Sequence, residues 1–149
     1  MERYNVEEMT ERLNISVNRI NGGYYIWARK HGLQENRLTI LYALGDKKKH
    51  TQTEISREWL IPKTTVNTVV KQLARENIVL IQGGEKSKEL SLTEYGVEYT
   101  KSALANLYRA EKDAMACILE RYGEAFITAH EEYSAILESK LKTDYETGQ

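Results

Sequence analysis

Very little in this 149-residue sequence interrupts a helix. There is a single proline, Pro62, and long stretches elsewhere carry helical spacing, which predicts a mainly α chain. One cysteine, Cys117, cannot form an internal disulfide. The opening Met1-Glu2-Arg3-Tyr4-Asn5 lacks the apolar stretch of a secretory signal; both features lead us to expect a cytoplasmic protein. No apolar run approaches the roughly 20 residues of a spanning helix, so no membrane association is expected. His31, His50 and His130 stand at no metal-ligand spacing from one another or from Cys117. A nucleophile elbow, a phosphate-cradling glycine-rich loop and a dinucleotide fingerprint are all missing; Gly22-Gly23 reads as a kink and Gly83-Gly84 as a turn. The expectation is therefore no metal, no cofactor and no enzyme. A strong charge of one sign is lacking too: the net charge is −1, at first sight a poor match to a phosphate binder. The distribution is uneven, however. Residues 46–101 hold ten Lys/Arg against eight Asp/Glu, and residues 102–149 hold five against nine.

What is present is a series of amphipathic segments. Met9, Leu13, Val17, Ile20, Tyr24 and Trp27 recur in steps of three and four, one stripe of a helix from Glu7 to about Lys30. A second helix carries Leu38, Leu41, Tyr42 and Leu44 and closes at Gly45; residues 46–50 form a polar loop. Thr51-Gln52-Thr53-Glu54 has the form of a capping box, so a short helix burying Ile55 and Trp59 should start there. Pro62 ends it, because the residue before a proline is steered away from helical geometry, and Pro62 itself suits the first turn of the next helix. That helix places Val66, Val69, Val70 and Leu73 on one face and stops near Glu76-Asn77. Residues 78–82 and 89–92 are expected to be strands of a hairpin around a basic tip. Thr93 caps a long helix running to a break at Tyr122-Gly123, and a last helix carries Phe126, His130, Tyr133, Leu137 and Leu141.

Helix, tight turn, helix and hairpin in that order are the layout of a winged helix-turn-helix. Opposite the valine stripe of its second helix sit Thr64, Thr65, Asn67, Thr68 and Lys71, polar and free of carboxylates, with Lys63 and Arg75 beside them. Short hydroxyl and amide side chains approach base edges closely, and lysines neutralise phosphates. An ordinary surface helix would carry Glu there, so this face is the expected DNA-reading surface. Lys86 and Lys88 of the hairpin tip are candidates for contact with the neighbouring backbone.

The stretch TQTEISREWLIPKTTVNTVVKQLARENIVLIQ, followed by LSLTEYG and preceded by LTILYAL, resembles the multiple-antibiotic-resistance regulator (MarR) family of bacterial transcription factors. The resemblance implies a winged helix-turn-helix whose long N- and C-terminal helices interdigitate into a homodimer. It also implies a palindromic site on double-stranded DNA, a repressor role, and Thr64, Thr65, Asn67, Thr68 and Lys71 on the recognition helix. The family's Asp-x-Arg in the wing is replaced, counting back from Leu92-Thr93, by Gly84-Glu85-Lys86; lysine lacks arginine's planar fork and suits phosphate contact better than minor-groove insertion. Regulators of this type often take a small aromatic effector. Tyr24, Trp27, His31 and Tyr42, with Tyr25 and Arg29 nearby, are the candidate pocket residues. Residues 1–33 are expected to form an N-terminal dimerisation helix, 34–101 the DNA-binding region and 102–149 the C-terminal dimerisation helices, within one integrated domain. Long apolar stripes on the terminal helices independently favour a partner subunit as their cover. Cys117, near Met115 and Ile118, is expected to be a buried thiol rather than a redox sensor. The alternative is a winged-helix module that binds protein without binding DNA, which the weak basicity keeps open.

Overall fold

The computed structural model describes residues 3–84 and 87–146. They fall into two compact units, the first ending at Ala105 and the second starting at Asn106. In chain order the first unit contains α1 (Val6–Lys30), α2 (Glu35–Leu44), β1 (His50–Thr51), α3 (Gln52–Trp59), α4 (Lys63–Arg75), β2 (Val79–Gln82), β3 (Glu89–Leu92) and α5 (Glu94–Ala103). The second holds α6 (Ala105–Tyr122), apart from its first residue, and α7 (Ala125–Glu146). No helix of the described residues is long and apolar enough to cross a membrane.

The core of the first unit is built around α4. Val66, Val69, Val70 and Leu73 are buried against α2, which supplies Leu38, Ile40, Leu41 and Leu44, against Ile55 of α3 and against the start of β2. Each fully buried aliphatic side chain of this kind stabilises the fold by about 1.5–3 kcal/mol. The sheet is antiparallel with strand order β1-β3-β2, Val79 facing Leu92 and Gln82 facing Glu89. The short strand β1 was not expected. His50 pairs with Leu90 and Thr51 with Glu89, and two residues carry no alternation to detect.

Other departures have local causes. The helix capped by Thr93 stops at Ala103 rather than running on to Tyr122, with Leu104 at φ −103° as its cap. The first helix continues through Gly22-Gly23. Trp59, expected in the core, is 40% exposed and meets Tyr42 edge-on at 5.5 Å between ring centroids. Gly123, at φ 62°, separates α6 from α7 as expected, and its N–H donates to the Leu119 carbonyl at 2.9 Å. Cys117, expected to be buried, is exposed on α6.

The C-terminal end of α4 is held by polar contacts from elements distant in sequence. Asn77, at φ 60°, reverses the chain, and the Thr93 hydroxyl donates to the Asn77 carbonyl at 2.6 Å while accepting the Gly96 N–H at 2.8 Å. Gly96 itself lies against the backbone of Ile78, and any Cβ there would collide with the Ile78 carbonyl oxygen. Arg37 of α2 grips Glu76 in a two-pronged pair at 2.9 and 2.5 Å and donates to the Tyr99 hydroxyl at 3.2 Å. Hydrogen bonding from Arg37 holds the Glu76 carboxyl below its ordinary range.

These contacts set the stability expected of three variants. Gly96→Ala is expected to lower the free energy of unfolding by about 2 kcal/mol or more through backbone collision. Gly22→Ala, in a helix with open space around the site, should raise it by about 0.5–1 kcal/mol. Urea denaturation of the two variants checks the contrast. Because the folded pKa of Glu76 is depressed, its contribution is present above the unfolded glutamate value of about 4.3 and is lost as pH falls through the folded value. Glu76→Gln should therefore cost about 0.5–1 kcal/mol at pH 7, the half-exposed carboxylate being screened by solvent, and progressively less in acid.

Candidate nucleic-acid interface

The helix-turn-helix is assembled by local chemistry. The Thr51 hydroxyl accepts the Glu54 N–H at 3.1 Å and the Glu54 carboxylate accepts the Thr51 N–H at 2.7 Å, closing the capping box that starts α3. These two bonds from Thr51, the backbone one foremost, keep the Glu54 carboxyl below its ordinary range. At the other end Leu60 adopts a left-handed conformation, φ 51°, and Ile61 turns back into the core. The Ser56 hydroxyl donates to the Ile61 carbonyl at 2.7 Å and the Ile61 N–H donates to the Ser56 carbonyl at 3.2 Å, so the turn is locked from both sides. Pro62, at φ −53°, then delivers the chain into α4.

With the valine face of α4 buried, the opposite face has nowhere to go but outward. Lys63, Thr64, Thr68, Lys71 and Arg75 are exposed, and Thr65 and Asn67 are half-buried at the edges. Lys63, Lys71 and Arg75 form no ion pair among the described residues, so all three charges face solvent uncommitted. The Thr68 hydroxyl donates to the Thr64 carbonyl at 3.0 Å. Its proton is thus spent within the helix, and the oxygen presents only lone pairs outward. A groove of about 260 Å³ runs beside this face, where Thr64, Thr65, Thr68 and Gln72 of α4 meet Gln34 and Asn36 from the start of α2. Gln72 was legible in the sequence, four residues beyond Thr68 on the same face. Gln34 and Asn36 come from a different segment and carried no local signal.

In the wing, Lys88 is half-buried at the base of β3, and Lys86 lies outside the described residues. Gly83 takes φ 98° and its α-carbon faces the Ser87 backbone closely, which fixes a tight start to the tip. Lys49, just before β1, pairs with Glu89 at 3.5 Å.

A second concavity, of about 520 Å³, opens elsewhere in the first unit. Tyr24 of α1 and Tyr42 of α2 line it, together with Trp59 of α3 and Glu35 at the start of α2. The other two candidate pocket residues point to one another: Trp27 and His31 stack at 4.1 Å, and His31 Nδ1 bonds the Trp27 carbonyl at 2.8 Å. Arg29 stands over the ring of Tyr25, 5.7 Å from its centroid.

Comparison with known proteins gives this geometry a lineage. Residues 31–83, from the end of α1 through β2, match the sequence model of the MarR family. No curated protein matches the chain by sequence. Among solved structures, the chain is similar to NMB1585, a MarR family regulator from Neisseria meningitidis, at 26% identity and a TM-score of 0.71 over 97% of this chain and 99% of that one. It shares its fold with the MarR family transcriptional regulator SPO1453 from Silicibacter pomeroyi DSS-3, at 16% identity and a TM-score of 0.67 over 84% and 91% of the two chains. NadR, solved in complex with 4-hydroxyphenylacetate, superposes with a TM-score of 0.65 at 11% identity over 92% and 95%. The capped α3, the Pro62 turn, α4 and the hairpin together give this chain the winged helix-turn-helix fold of the MarR family regulators that it resembles, and the family's sequence model falls on that part of the chain.

Proposed function

We propose that two copies of the chain pair through their terminal helices and bind a palindromic operator, acting as a repressor by occupying a promoter. The observation that carries this reading is the outward face of α4: hydroxyls, amides and three unpaired cations, without a carboxylate. A helix of this size fits the major groove, where Thr64, Thr68 and Asn67 reach base edges and Lys63, Lys71 and Arg75 reach phosphates. As an acceptor only, Thr68 Oγ1 pairs with the amino groups of adenine or cytosine and not with thymine or guanine oxygens. Lys86 and Lys88 add phosphate contacts from the wing.

Dimerisation is supported by apolar side chains exposed in the single chain. On α1 these are Met9, Val17 and Ile20; on α7 they are Tyr133, Ile136, Leu137 and Leu141. Faces of this extent on soluble proteins ordinarily meet a partner. Two-fold symmetry then matches the symmetry of a palindrome. The concavity lined by Tyr24 and Tyr42 is proposed as an effector site, with the aromatic ligand of NadR as a precedent in the same fold. A ligand that favours one separation of the two recognition helices would shift DNA affinity by its preference for that state.

Selection from random duplex DNA is expected to return a palindrome with half-sites about 10 bp apart or a multiple of it. On that sequence Thr68→Glu should reduce affinity at least about 100-fold with the fold intact, by placing a carboxylate against phosphate and base acceptors. Lys71→Ala should weaken all sequences alike and lower the salt slope of log K by about one for each contact removed. If no sequence is enriched and low-salt binding is absent, α4 is not a DNA reader, and the chain is better understood as a protein-docking module.

A further inference from the structure

We infer that the ligand of the concavity between α1, α2 and α3 is an organic cation, an aromatic or alkyl amine or a quaternary ammonium, rather than an aromatic acid. This deepens the effector reading above and rests on it. Of the side chains lining the cavity, Glu35 is the sole charged one; no arginine, lysine or histidine reaches it among the described residues. The basic groups that the sequence placed near these aromatics are turned to other tasks: His31 stacks on Trp27 and bonds its carbonyl, and Arg29 lies over Tyr25. Arg37, next but one to Glu35 on α2, is committed to Glu76 and Tyr99. An incoming carboxylate would thus find no counter-charge and would face Glu35 across an apolar wall.

A cation finds the opposite. Three aromatic side chains, Tyr24, Tyr42 and Trp59, come from three different helices to one cavity. Tyr42 and Trp59 meet edge to face, an arrangement that leaves ring faces turned at a steep angle to one another. Aromatic rings lining a cavity beside a carboxylate are the chemistry that recognises ammonium groups. Glu35 forms no ion pair of its own, and its carboxylate makes no hydrogen bond among the described residues. Leu38 supplies an apolar floor for the hydrocarbon part of such a ligand, and Asn21 and Thr39 supply polar atoms at the margin. A volume of about 520 Å³ lies within the range of small-molecule sites. Trp59 explains itself on this reading: an indole left 40% exposed at the end of the helix before the Pro62 turn is a wall of the site.

The test compares two benzylic probes of opposite charge, benzyltrimethylammonium and phenylacetate, on the full chain, by calorimetry and tryptophan fluorescence. Benzyltrimethylammonium is expected to bind at least about tenfold more tightly than phenylacetate and to change the tryptophan emission. Glu35→Gln should lower its affinity about tenfold without changing the melting temperature of the free protein, and Trp59→Phe should abolish the fluorescence change. Tighter binding of phenylacetate overturns the charge assignment while leaving the effector site standing. Binding of neither probe at millimolar concentration overturns the ligand class. Unchanged affinity of benzyltrimethylammonium in Glu35→Gln overturns the role given to the carboxylate. DNA binding by the unliganded protein, measured on the selected operator, is read separately and bears on the proposed function alone.

Discussion

Everything in the first unit depends on the burial of one helical face. Val66, Val69, Val70 and Leu73 seat α4 on α2, α3 and the root of the wing, and four side chains of this size removed from water outweigh any local preference α4 has for another orientation. Once they are buried, the rotation of α4 about its own axis is settled. Its polar half is then presented to solvent as a consequence of the apolar half being hidden. The function proposed for the chain is in this sense a by-product of its core, and a residue such as Thr68 owes its position to Val69 and Val70 beside it.

Charge acts more sparingly here than in a strongly basic DNA-binding protein. With a net charge of −1 the chain has little long-range attraction for a polyanion, so its electrostatics must be local. The residues of α4 meet that need by omission as much as by addition. Lys63, Lys71 and Arg75 keep their charges because no acidic neighbour on the helix neutralises them, and the carboxylates that the first unit does use in ion pairs or caps, such as Glu76 and Glu54, are bound to Arg37 or to the backbone.

Features carried by neighbouring residues were legible before any coordinates. The capping box at Thr51 and Glu54, the stop at Pro62, the period of the valines and the left-handed Asn77 are all local chemistry, and each stands where the sequence placed it. Features that depend on distant partners were not. Strand β1 exists because His50 and Thr51 happen to lie along β3, almost forty residues away, and the pairing of Arg37 with Glu76 spans a similar separation. Trp59 continues the stripe of Ile55 by helical spacing, yet the helix ends there and the core does not extend to cover it. The stop at Leu104 has neither glycine nor proline to announce it, since Ala103-Leu104-Ala105 would continue a helix if nothing else intervened. Cys117 misled for a related reason, because apolar neighbours on one helix say nothing about what packs against them.

The clamp on Glu76 sits at the far end of the helix from Thr64. Thirteen residues rising about 1.5 Å each set the two ends roughly 20 Å apart, and between them Val66, Val69, Val70 and Leu73 seat α4 along its length. A helix seated in this way moves as one piece, so a rotation about the clamp displaces most the end that carries the threonines. A tilt of a few degrees at the clamp would carry them through a distance comparable to the tolerance of a hydrogen bond, and would carry Val66, two residues from Thr64, almost as far. Mechanical leverage of this kind lets a small disturbance of α2, which holds Arg37 on one side and lines the aromatic cavity on the other, be felt most where bases would be touched.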